Sequence, residues 1–293
     1  MTDKLGFIGG SGIYNLEFLT NVKEHKLSSS FGNPSGSIIE GKINNDDVFF
    51  LSRHGKGHTL SPSSINYRAN IDCLKQCGVT DLISLSAVGS LKENLKPGTF
   101  VIVDQFIDRT IIRKKSFFDQ GIVAHVPMAN PTSEPLMQLS KTILESLKIN
   151  FSYGGTYLAM EGPQFSTFAE SKLYIDWNCD VIGMTNMPEA KLAREAEIRY
   201  CSISMVTDYD CWHPEHDKVD LKMIIKTLNE NVDSSKSFIK SFSKTYYEGI
   251  SFDNDNTFNI LDTSIITKRE FWDKQLEKKL NYILRRYKKN NVS

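Results

Sequence analysis

Two carboxylates directly follow an apolar run, and their spacing could support acid–base chemistry. Asp208 and Asp210 come after residues 200–206, which are β-branched, apolar or small and are typical of a buried strand. Residues two apart on an extended chain point to one face, so both carboxylates are expected to face one ligand. Close like charges in a partly desolvated site raise one pKa, and a protonated carboxylic acid can donate to a leaving group. The alternative is that Asp208 caps a turn and Asp210 is solvated.

Hydroxyl, glycine and basic residues end four other predicted strands. These four strands cover residues 4–8, 48–52, 79–86 and 180–184. The second of them forms a hairpin with a strand over 37–43, across a turn at 44–47. Backbone amides, hydroxyl groups and a guanidinium fork suit phosphate, and without a Mg²⁺ motif that phosphate is expected to be free. The candidate phosphate ligands are Ser11, Arg53, His54, Ser86, Ala87 and Thr185.

Metal and disulfide sites are the alternatives for the His and Cys residues. His54 and His58 have the spacing of a helical metal pair, but the two glycines between them disfavour a helix. The five cysteines are odd in number and lie among core-like residues, which argues against a disulfide framework. We expect neither a metal site nor a disulfide.

The elements that position these side chains alternate between strand and helix, which predicts an α/β fold. One strand is expected over 99–108, another over 155–160, and helices from Ser61 to about Cys77, over 133–147 and over 219–247. The domain division is expected to be 1–248, a polar linker over 249–266 and a basic amphipathic helix over 267–293. From Lys268 to Lys289 this last segment has nine basic and three acidic residues. We expect it to pack on its own domain or on a neighbouring subunit, and a nucleic-acid or lipid contact is the alternative.

Composition narrows the function classes. The 293 residues carry no formal net charge, which disfavours general binding to nucleic acid or to membrane surfaces. No apolar run approaches the roughly 20 residues that span a bilayer, and the N-terminus has no signal-peptide core. The expectation is a cytoplasmic protein that acts on small molecules.

Seven motifs in order resemble the trimeric purine nucleoside phosphorylase family. They lie at residues 9–12, 53–58, 86–91, 104–110, 161–166, 184–189 and 207–212, and the match covers about 4–230. The resemblance implies a single-domain fold with a central mixed β-sheet flanked by helices. It also implies phosphorolysis of a purine nucleoside in a homotrimer, without a cofactor because inorganic phosphate is a co-substrate. Residues beyond about 250 match poorly.

The resemblance also assigns roles to individual residues. The six candidate phosphate ligands keep that role, Met184 lies against the ribose, and Phe165 stacks on the purine. The purine edge faces Ser166, Asp208, Tyr209 and Asp210. The 5′ group is surrounded by Leu221, Ile224, Ile225, His58 and His125, and His125 comes from the adjacent subunit.

The residue at position 210 predicts the base. Related phosphorylases of 6-oxopurines have Asn here, whose amide donates to O6, whereas the carboxylate of Asp210 accepts from an N6 amino group. Apolar neighbours of the 5′ group suit a methylthio substituent. The predicted reaction is phosphorolysis of S-methyl-5′-thioadenosine to adenine and 5-methylthioribose 1-phosphate, with Asp208 assisting the leaving group at N7.

Three alternatives remain. The nearest is a phosphorylase of S-methyl-5′-thioinosine or of 6-oxopurine nucleosides. A dinucleotide-dependent oxidoreductase would need an acidic residue about twenty positions beyond the first glycine loop, where Asn33, Pro34 and Ser35 stand. A non-catalytic purine sensor would bind adenine without phosphate-dependent turnover.

Overall fold

The computed structural model describes residues 3–10, 17–214, 221–253 and 255–290, with the backbone alone for 221–224, 226, 228 and 290. The strands are β1 Leu5–Gly9, β2 Thr20–His25, β3 Ile38–Ile43, β4 Asp46–Ser52, β5 Asp81–Ser90, β6 Phe100–Val103, β7 Gln105–Asp108, β8 Phe151–Tyr153, β9 Thr156–Ala159, β10 Val181–Gly183 and β11 Arg199–Asp208. The helices are α1 Tyr67–Gln76, α2 Glu134–Ser146, α3 Phe168–Asp176, α4 Asn186–Glu195, α5 Leu221–Glu248, α6 Ile260–Ser264, α7 Lys274–Lys279 and α8 Arg285–Asn290.

One mixed sheet connects these strands. Its order is β2-β3-β4-β1-β5-β10-β9-β7, and a branch runs from β5 through β11 and β6 to β8. The long strand β5 is parallel to both β1 and β11 but antiparallel to β10. The predicted α/β fold with a central mixed sheet flanked by helices is confirmed.

Alternation along the strands fills a core on each side of the sheet. In β6, Phe100 and Ile102 pack with the core that contains residues of α2 and α5. Val101 and Val103 pack with the opposite core, which contains residues of α1 and α4. Because side chains of a strand point alternately to the two faces, an uninterrupted apolar strand can serve both cores.

The predicted hairpin is present, and its turn has a clear local cause. Asn44 and Asn45 join β3 to β4 with φ angles of 51° and 75°. Asparagine tolerates this left-handed region better than most residues, and two such residues form the tight turn that suits the twist of a hairpin.

Two other elements differ from the sequence prediction. The helix expected from Ser61 begins at Tyr67, after a 3₁₀ turn over Pro62–Ser64, because the Asn66 side chain caps it by accepting from the N–H of Ala69. The single strand expected over 99–108 is divided into β6 and β7. Asp104 lies at the break, where its Oδ1 accepts from the N–H of Gly155 at 2.8 Å.

The C-terminal region is packed, and the prediction of one helix there is wrong. Within the expected linker, residues 257–259 form a 3₁₀ turn that leads into α6, and Ile260 and Leu261 are buried. Further on, the short helices α7 and α8 are separated by a turn that buries Leu280, Ile283 and Leu284 in the same core as α1 and α4. Burial of apolar side chains from both regions favours this folded path over an extended linker and a continuous helix.

Arg286 links α8 to α6 and to the turn between α4 and β11. Its guanidinium donates to both carboxylate oxygens of Glu197 at 2.6 Å and to Asp262 at 2.7 and 3.0 Å.

All five cysteines are free thiols. Across the described ranges, no helix combines the length and apolar character needed to cross a membrane.

Candidate active site

A cavity of about 450 Å³ opens at the C-terminal ends of β5, β10 and β11. It brings together ten of the side chains or backbones predicted from the sequence: Arg53, His54, His58, Ser86, Ala87, Phe165, Met184, Thr185, Asp208 and Asp210. Its other walls come mostly from backbone and apolar groups: Gly10, Leu60, Ser61, Pro62, Val88, Gly89, Met160, Pro163, Ile182, Gly183 and Thr207.

The cavity exists because β5 is longer than β1. Pairing with β1 ends at Leu85, whereas pairing with β10 on that side begins only at Gly89. The opposite edge of Ser86–Val88 is paired with β11 throughout. Within the described ranges no strand covers the first edge of Ser86–Val88, so its backbone and the Ser86 side chain are available to a ligand.

Asp208 is the last residue of β11 and is 7 % exposed. Its carboxylate accepts hydrogen bonds from the Thr207 hydroxyl at 2.7 Å and from the Asp210 N–H at 2.8 Å. Burial raises the pKa of Asp208 to about 6, these two hydrogen bonds oppose the shift, and the charge of Asp210 adds a smaller increase. The carboxyl group is therefore able to exchange a proton near neutral pH, with burial and not the like charge as the main cause.

Asp210 reaches the cavity by a turn. Its φ of 51° lies in the left-handed region, so the extended geometry assumed from the sequence stops at Asp208. Burial raises the pKa of Asp210, while the hydroxyl groups of Ser171 and Ser166 oppose the rise. Among the described residues, Oδ2 of Asp210 is buried and makes no hydrogen bond of good geometry, so the two hydroxyl groups lie near the carboxylate without satisfying this oxygen. A buried acceptor of this kind is suited to a donor on a ligand.

Gly89 provides the space for this turn. A Cβ atom at position 89 would lie 3.0 Å from Oδ1 of Asp208 and 3.3 Å from the Asp210 nitrogen. A side chain at this position would require the Asp208 carboxylate or the Asp210 backbone to shift by a few tenths of an ångström.

Arg53 is fully buried at the other end of the cavity. Nε and Nη2 donate to the two carboxylate oxygens of Glu189 at 2.7 and 3.1 Å, and Nη1 donates to the Leu85 carbonyl at 3.1 Å. Although burial alone lowers the pKa of Arg53, the carboxylate of Glu189 raises it above the ordinary value. Arg53 is thus a permanently charged and rigidly oriented donor whose charge is balanced by Glu189.

His54 is held as a neutral ring. Its Nδ1 lies 2.9 Å from the Leu60 carbonyl, which can only accept, so Nδ1 carries the hydrogen. Burial lowers the pKa of His54 to about 4, and Arg53, His58 and Arg113 contribute to the decrease, although the Leu60 carbonyl opposes it. Nε2 is therefore an acceptor. The ring stacks on His58 with 4.2 Å between centroids.

The remaining groups at this end are neutral hydrogen-bonding groups. Ser86 is 3 % exposed, and in the described part of the chain its hydroxyl has one hydrogen-bonding contact, with Oγ of Ser204 at 3.5 Å. The Thr185 hydroxyl contacts Oδ1 of Asn186, also at 3.5 Å. Both hydroxyl groups make only long internal contacts, which leaves them able to bind an anion.

Apolar side chains form the wall between the two polar ends. Met184, Met160, Pro163 and Ile182 line this part, and Phe165 stands at the rim with 46 % of its surface exposed. An exposed aromatic ring beside buried acceptors is suited to stacking on a flat heterocycle.

Comparison with known proteins identifies the family of this chain. A family model described as the phosphorylase superfamily matches residues 4–244. An S-methyl-5′-thioadenosine phosphorylase of Rhodospirillum rubrum is 51 % identical over 279 residues, which are 95 % of each chain. This chain belongs to the S-methyl-5′-thioadenosine phosphorylase family. The family lies within the phosphorylase superfamily, so the protein is an enzyme of the pentosyltransferase class.

Solved structures agree with this family assignment. The crystal structure of a methylthioadenosine phosphorylase from an Antarctic soil metagenomic library has a TM-score of 0.89 at 40 % identity, covering 97 % of this chain and 99 % of that one. Methylthioadenosine phosphorylase from Schistosoma mansoni, in complex with adenine, has a TM-score of 0.85 at 31 % identity, covering 90 % and 99 %.

Several residues predicted for the family site lie elsewhere. The side chain of Tyr209 does not face the cavity: its ring packs on Trp212 and His213. Its hydroxyl donates to the Glu93 carbonyl at 3.2 Å. The turn that directs Asp208 and Asp210 into the cavity directs the Tyr209 side chain away from it, and contact of Tyr209 with the purine edge stays a prediction.

Three residues predicted for the substrate site do not line the cavity. Ile225 is 47 % exposed and His125 is exposed, and neither lines the cavity. Ser166 is absent from the lining as well, although its hydroxyl acts on Asp210. Ser11 and the side chains of Leu221 and Ile224 lie outside the described residues.

Sequence reasoning missed two charged residues that organise the site. Glu189 is fully buried in α4 and accepts from Arg53, but half of the residues of α4 are polar or charged, so the local sequence does not distinguish this carboxylate. Arg113 lies in an irregular segment with other basic residues and has no local signal either. No arrangement of three or more His, Cys, Asp or Glu side chains in the described ranges is suited to a metal ion.

Proposed function

We propose that this enzyme catalyses phosphorolysis of S-methyl-5′-thioadenosine to adenine and 5-methylthioribose 1-phosphate. The C1′–N9 bond breaks with its electron pair going to the purine, and a phosphate oxygen forms the new bond to C1′. The observation that carries the proposal is the pairing, in one cavity, of two buried carboxylates at one end with Arg53, Ser86 and Thr185 at the other.

Asp208 assists the leaving purine. Negative charge develops on the imidazole ring of adenine as the glycosidic bond breaks, and a hydrogen bond or proton from Asp208 to N7 relieves it. Its raised pKa of about 6 supports this role because the protonated form is accessible near neutral pH. The proton gained by adenine is balanced by the one lost as monohydrogen phosphate becomes a sugar phosphate dianion.

Asp210 selects the base. Its buried Oδ2 needs a donor, and the N6 amino group of adenine supplies one. A 6-oxopurine would instead place O6 against a carboxylate oxygen, which costs binding energy because two acceptors would face each other without a proton.

Phosphate binds beneath C1′ at the opposite end. Arg53, Ser86, Ala87 and Thr185 supply donors, and Nε2 of the neutral His54 accepts from the hydrogen of monohydrogen phosphate. Phosphate is a co-substrate in this scheme, and the reaction uses no further cofactor. The charge of the bound anion also stabilises the positive ribose ring of the transition state.

The enzyme acts as a homotrimer in which His125 completes the 5′ pocket of a neighbouring subunit. Support comes from exposed apolar side chains near the cavity loops, of which Ile111 is 79 % and Ile112 is 74 % exposed. Their backbone N–H groups donate to Glu161, which begins the loop that carries Phe165. A neighbour that covers these residues would lie beside the nucleoside end of the cavity.

Five free thiols support a reducing, cytoplasmic location.

An assay of adenine release from S-methyl-5′-thioadenosine with and without phosphate tests the reaction. We expect release only with phosphate, together with stoichiometric 5-methylthioribose 1-phosphate. Comparison of kcat/KM with adenosine, inosine and S-methyl-5′-thioinosine tests the specificity. A preference for either 6-oxopurine nucleoside would refute the substrate assignment, and adenine binding without turnover would indicate a sensor.

A further inference from the structure

Arg113 joins three segments that line the nucleoside end of the cavity, although it does not line the cavity itself. Its Nη1 donates to the carbonyl oxygens of Met184 and Met187 at 2.6 and 2.7 Å. Its Nη2 donates to the Glu161 carbonyl at 2.7 Å, and its Nε lies 3.2 Å from the Ser63 hydroxyl. The guanidinium thus contacts the loops after β9 and β10 and the turn before α1.

Each of these contacts lies beside a residue of the cavity wall. Met184 belongs to the wall, Glu161 lies between the wall residues Met160 and Pro163, and Ser63 follows the wall residue Pro62. The Tyr67 hydroxyl extends the same network, because it accepts from Nη1 of Arg113 and donates to the Pro62 carbonyl.

Glu161 is the ionic partner of Arg113. Its Oε1 lies 3.2 Å from Nε of Arg113, whose side chain is 1 % exposed against 25 % for Glu161. Oε1 also accepts from Ser63, and Oε2 accepts from the N–H groups of Ile111 and Ile112. A planar fork with five donors can satisfy several carbonyl groups at once, which an ammonium group cannot reproduce in this geometry.

The phosphate end is fixed by a separate buried pair. Arg53 and Glu189 hold each other through two hydrogen bonds, and Glu189 also accepts from Ser84 and Tyr200. Within the described residues, no hydrogen bond joins the Arg113 and Glu161 side chains to Arg53, His54, Ser86 or Ala87. Thr185 is the one proposed phosphate ligand beside the Arg113 contacts, because it lies between Met184 and Met187. The other phosphate ligands therefore have a support that is separate from Arg113.

We propose that Arg113 is a positioning residue for the nucleoside half of the site, acting through the backbones of Glu161 and Met184. It sets where the Met184 side chain and the loop with Pro163 and Phe165 stand, and so controls the fit of purine and ribose. This inference rests on the proposed function for the identity of the substrate. The positioning itself predicts that replacement of Arg113 weakens the binding of adenine more than the binding of phosphate. This difference can be measured without turnover.

Arg113→Lys provides the central test. It keeps the positive charge that contributes to the low pKa of His54, but it loses the planar set of guanidinium donors. We expect KM for S-methyl-5′-thioadenosine and the Kd of adenine to rise about tenfold or more, because several short hydrogen bonds to the loops are lost. KM for phosphate should stay within about threefold, since the Arg53 support is untouched. Glu161→Gln should shift the constants in the same direction by a smaller factor.

Arg68→Lys is the matched control. Arg68 is a partly buried arginine whose side chain is 15 % exposed, and it contacts the Ser116 carbonyl and Asp119, which are outside the cavity wall. Both Michaelis constants should remain unchanged in this variant. Thermal melts of all variants establish that the measured enzyme is folded.

A purely structural role for Arg113 would lower the melting temperature without changing the ratio of the two Michaelis constants. Equal increases in both constants, or none, in folded Arg113→Lys would overturn the proposal. If that variant does not fold, unaltered constants in Glu161→Gln, whose side chain is partly exposed, would overturn it. A wild-type enzyme without turnover would refute the proposed function alone, because calorimetry with adenine and with inorganic phosphate still measures this difference in binding.

Discussion

The main-chain N–H of Asp210 donates to Oδ1 of Asp208 at 2.8 Å. This bond closes a turn in which Asp210 has a φ of 51°, so both carboxylates enter the cavity although only Asp208 belongs to the strand. The same bond favours ionised Asp208, whereas burial favours the protonated form and is the stronger influence. The two residues therefore differ in environment and are expected to have different chemical roles.

Substitution of Asp208 by Asn tests its role at N7. Asn has nearly the same shape and its amide can still donate a hydrogen bond, but it cannot transfer a proton. We expect kcat to fall by roughly 10²–10⁴ while adenine binding changes little, because the assistance is realised in the transition state. Steady-state kinetics and calorimetry measure the two quantities, and an unchanged kcat would remove Asp208 from the mechanism.

The buried carboxylate of Asp208 should also make stability depend on pH. Its pKa of about 6 in the folded protein exceeds the ordinary value of 3.8, so the folded state binds this proton more tightly than the unfolded state. The resulting stabilisation is complete below about pH 4 and is lost as the pH rises through about 6. A shift of this size corresponds to roughly 3 kcal/mol.

Asp208→Asn removes this ionisation and should therefore gain stability relative to wild type as the pH rises from 4 to 8. Oδ1 of Asn can still accept from Asp210, and the Thr207 hydroxyl can donate to the Val88 carbonyl, 3.2 Å away, instead of to the carboxylate. Denaturant melts at both pH values measure the difference between the two proteins. A difference that is the same at pH 4 and pH 8 would show that Asp208 is not titrating in this range.

Sequence reasoning predicted ten of the 21 residues that line the cavity, and the polar ones among them follow apolar strands in regular order. Arg53 and Thr185 lie just beyond β4 and β10, Asp208 ends β11, and Ser86 lies within β5 just past the end of its pairing with β1. The crevice outside such strand ends is where ligands bind in α/β sheets. The motif resemblance supplied the substrate, which the residue pattern alone did not define.

Features that depend on contacts between distant segments could not be predicted in this way. Arg113 reaches Met184 across 71 residues, and Arg53 reaches Glu189 across 136, so neither pair has a sequence spacing to recognise. The C-terminal helix was predicted from its periodicity, but burial of Leu280 and Leu284 on the core favours a break. Tertiary packing outweighed local propensity there.

Replacement of Asp210 by Asn should change which base is accepted. The Asn amide can donate to O6 of a 6-oxopurine, whereas only its carbonyl oxygen can accept from N6 of adenine. We expect kcat/KM for S-methyl-5′-thioadenosine to fall by about 10²-fold and that for S-methyl-5′-thioinosine to rise, since a mispaired buried polar group costs about 1–3 kcal/mol. Parallel assays of both nucleosides give the ratio. An unchanged ratio would place the base away from residue 210.

Arg53→Lys should weaken the phosphate end selectively. Lysine retains the charge but cannot bind both oxygens of Glu189 and also face the anion, so we expect KM for phosphate to rise at least tenfold with KM for the nucleoside within about threefold. The buried carboxylate would lose part of its pairing, and the melting temperature should fall as well. This selectivity is opposite to the one expected for Arg113→Lys. Equal responses of phosphate and nucleoside in Arg53→Lys would place phosphate elsewhere.

Ile112→Asp tests whether the exposed apolar residues after β7 form a subunit interface. A charge in the centre of an apolar interface should dissociate the trimer, and the loss of His125 from the neighbouring pocket should raise KM for the nucleoside more than KM for phosphate. Light scattering after gel filtration measures the mass. Val22→Asp is the control, because Val22 is 58 % exposed on β2, at the opposite end of the main strand order from β7. A trimer that persists in Ile112→Asp, or a monomeric wild type, would exclude this residue from a subunit contact.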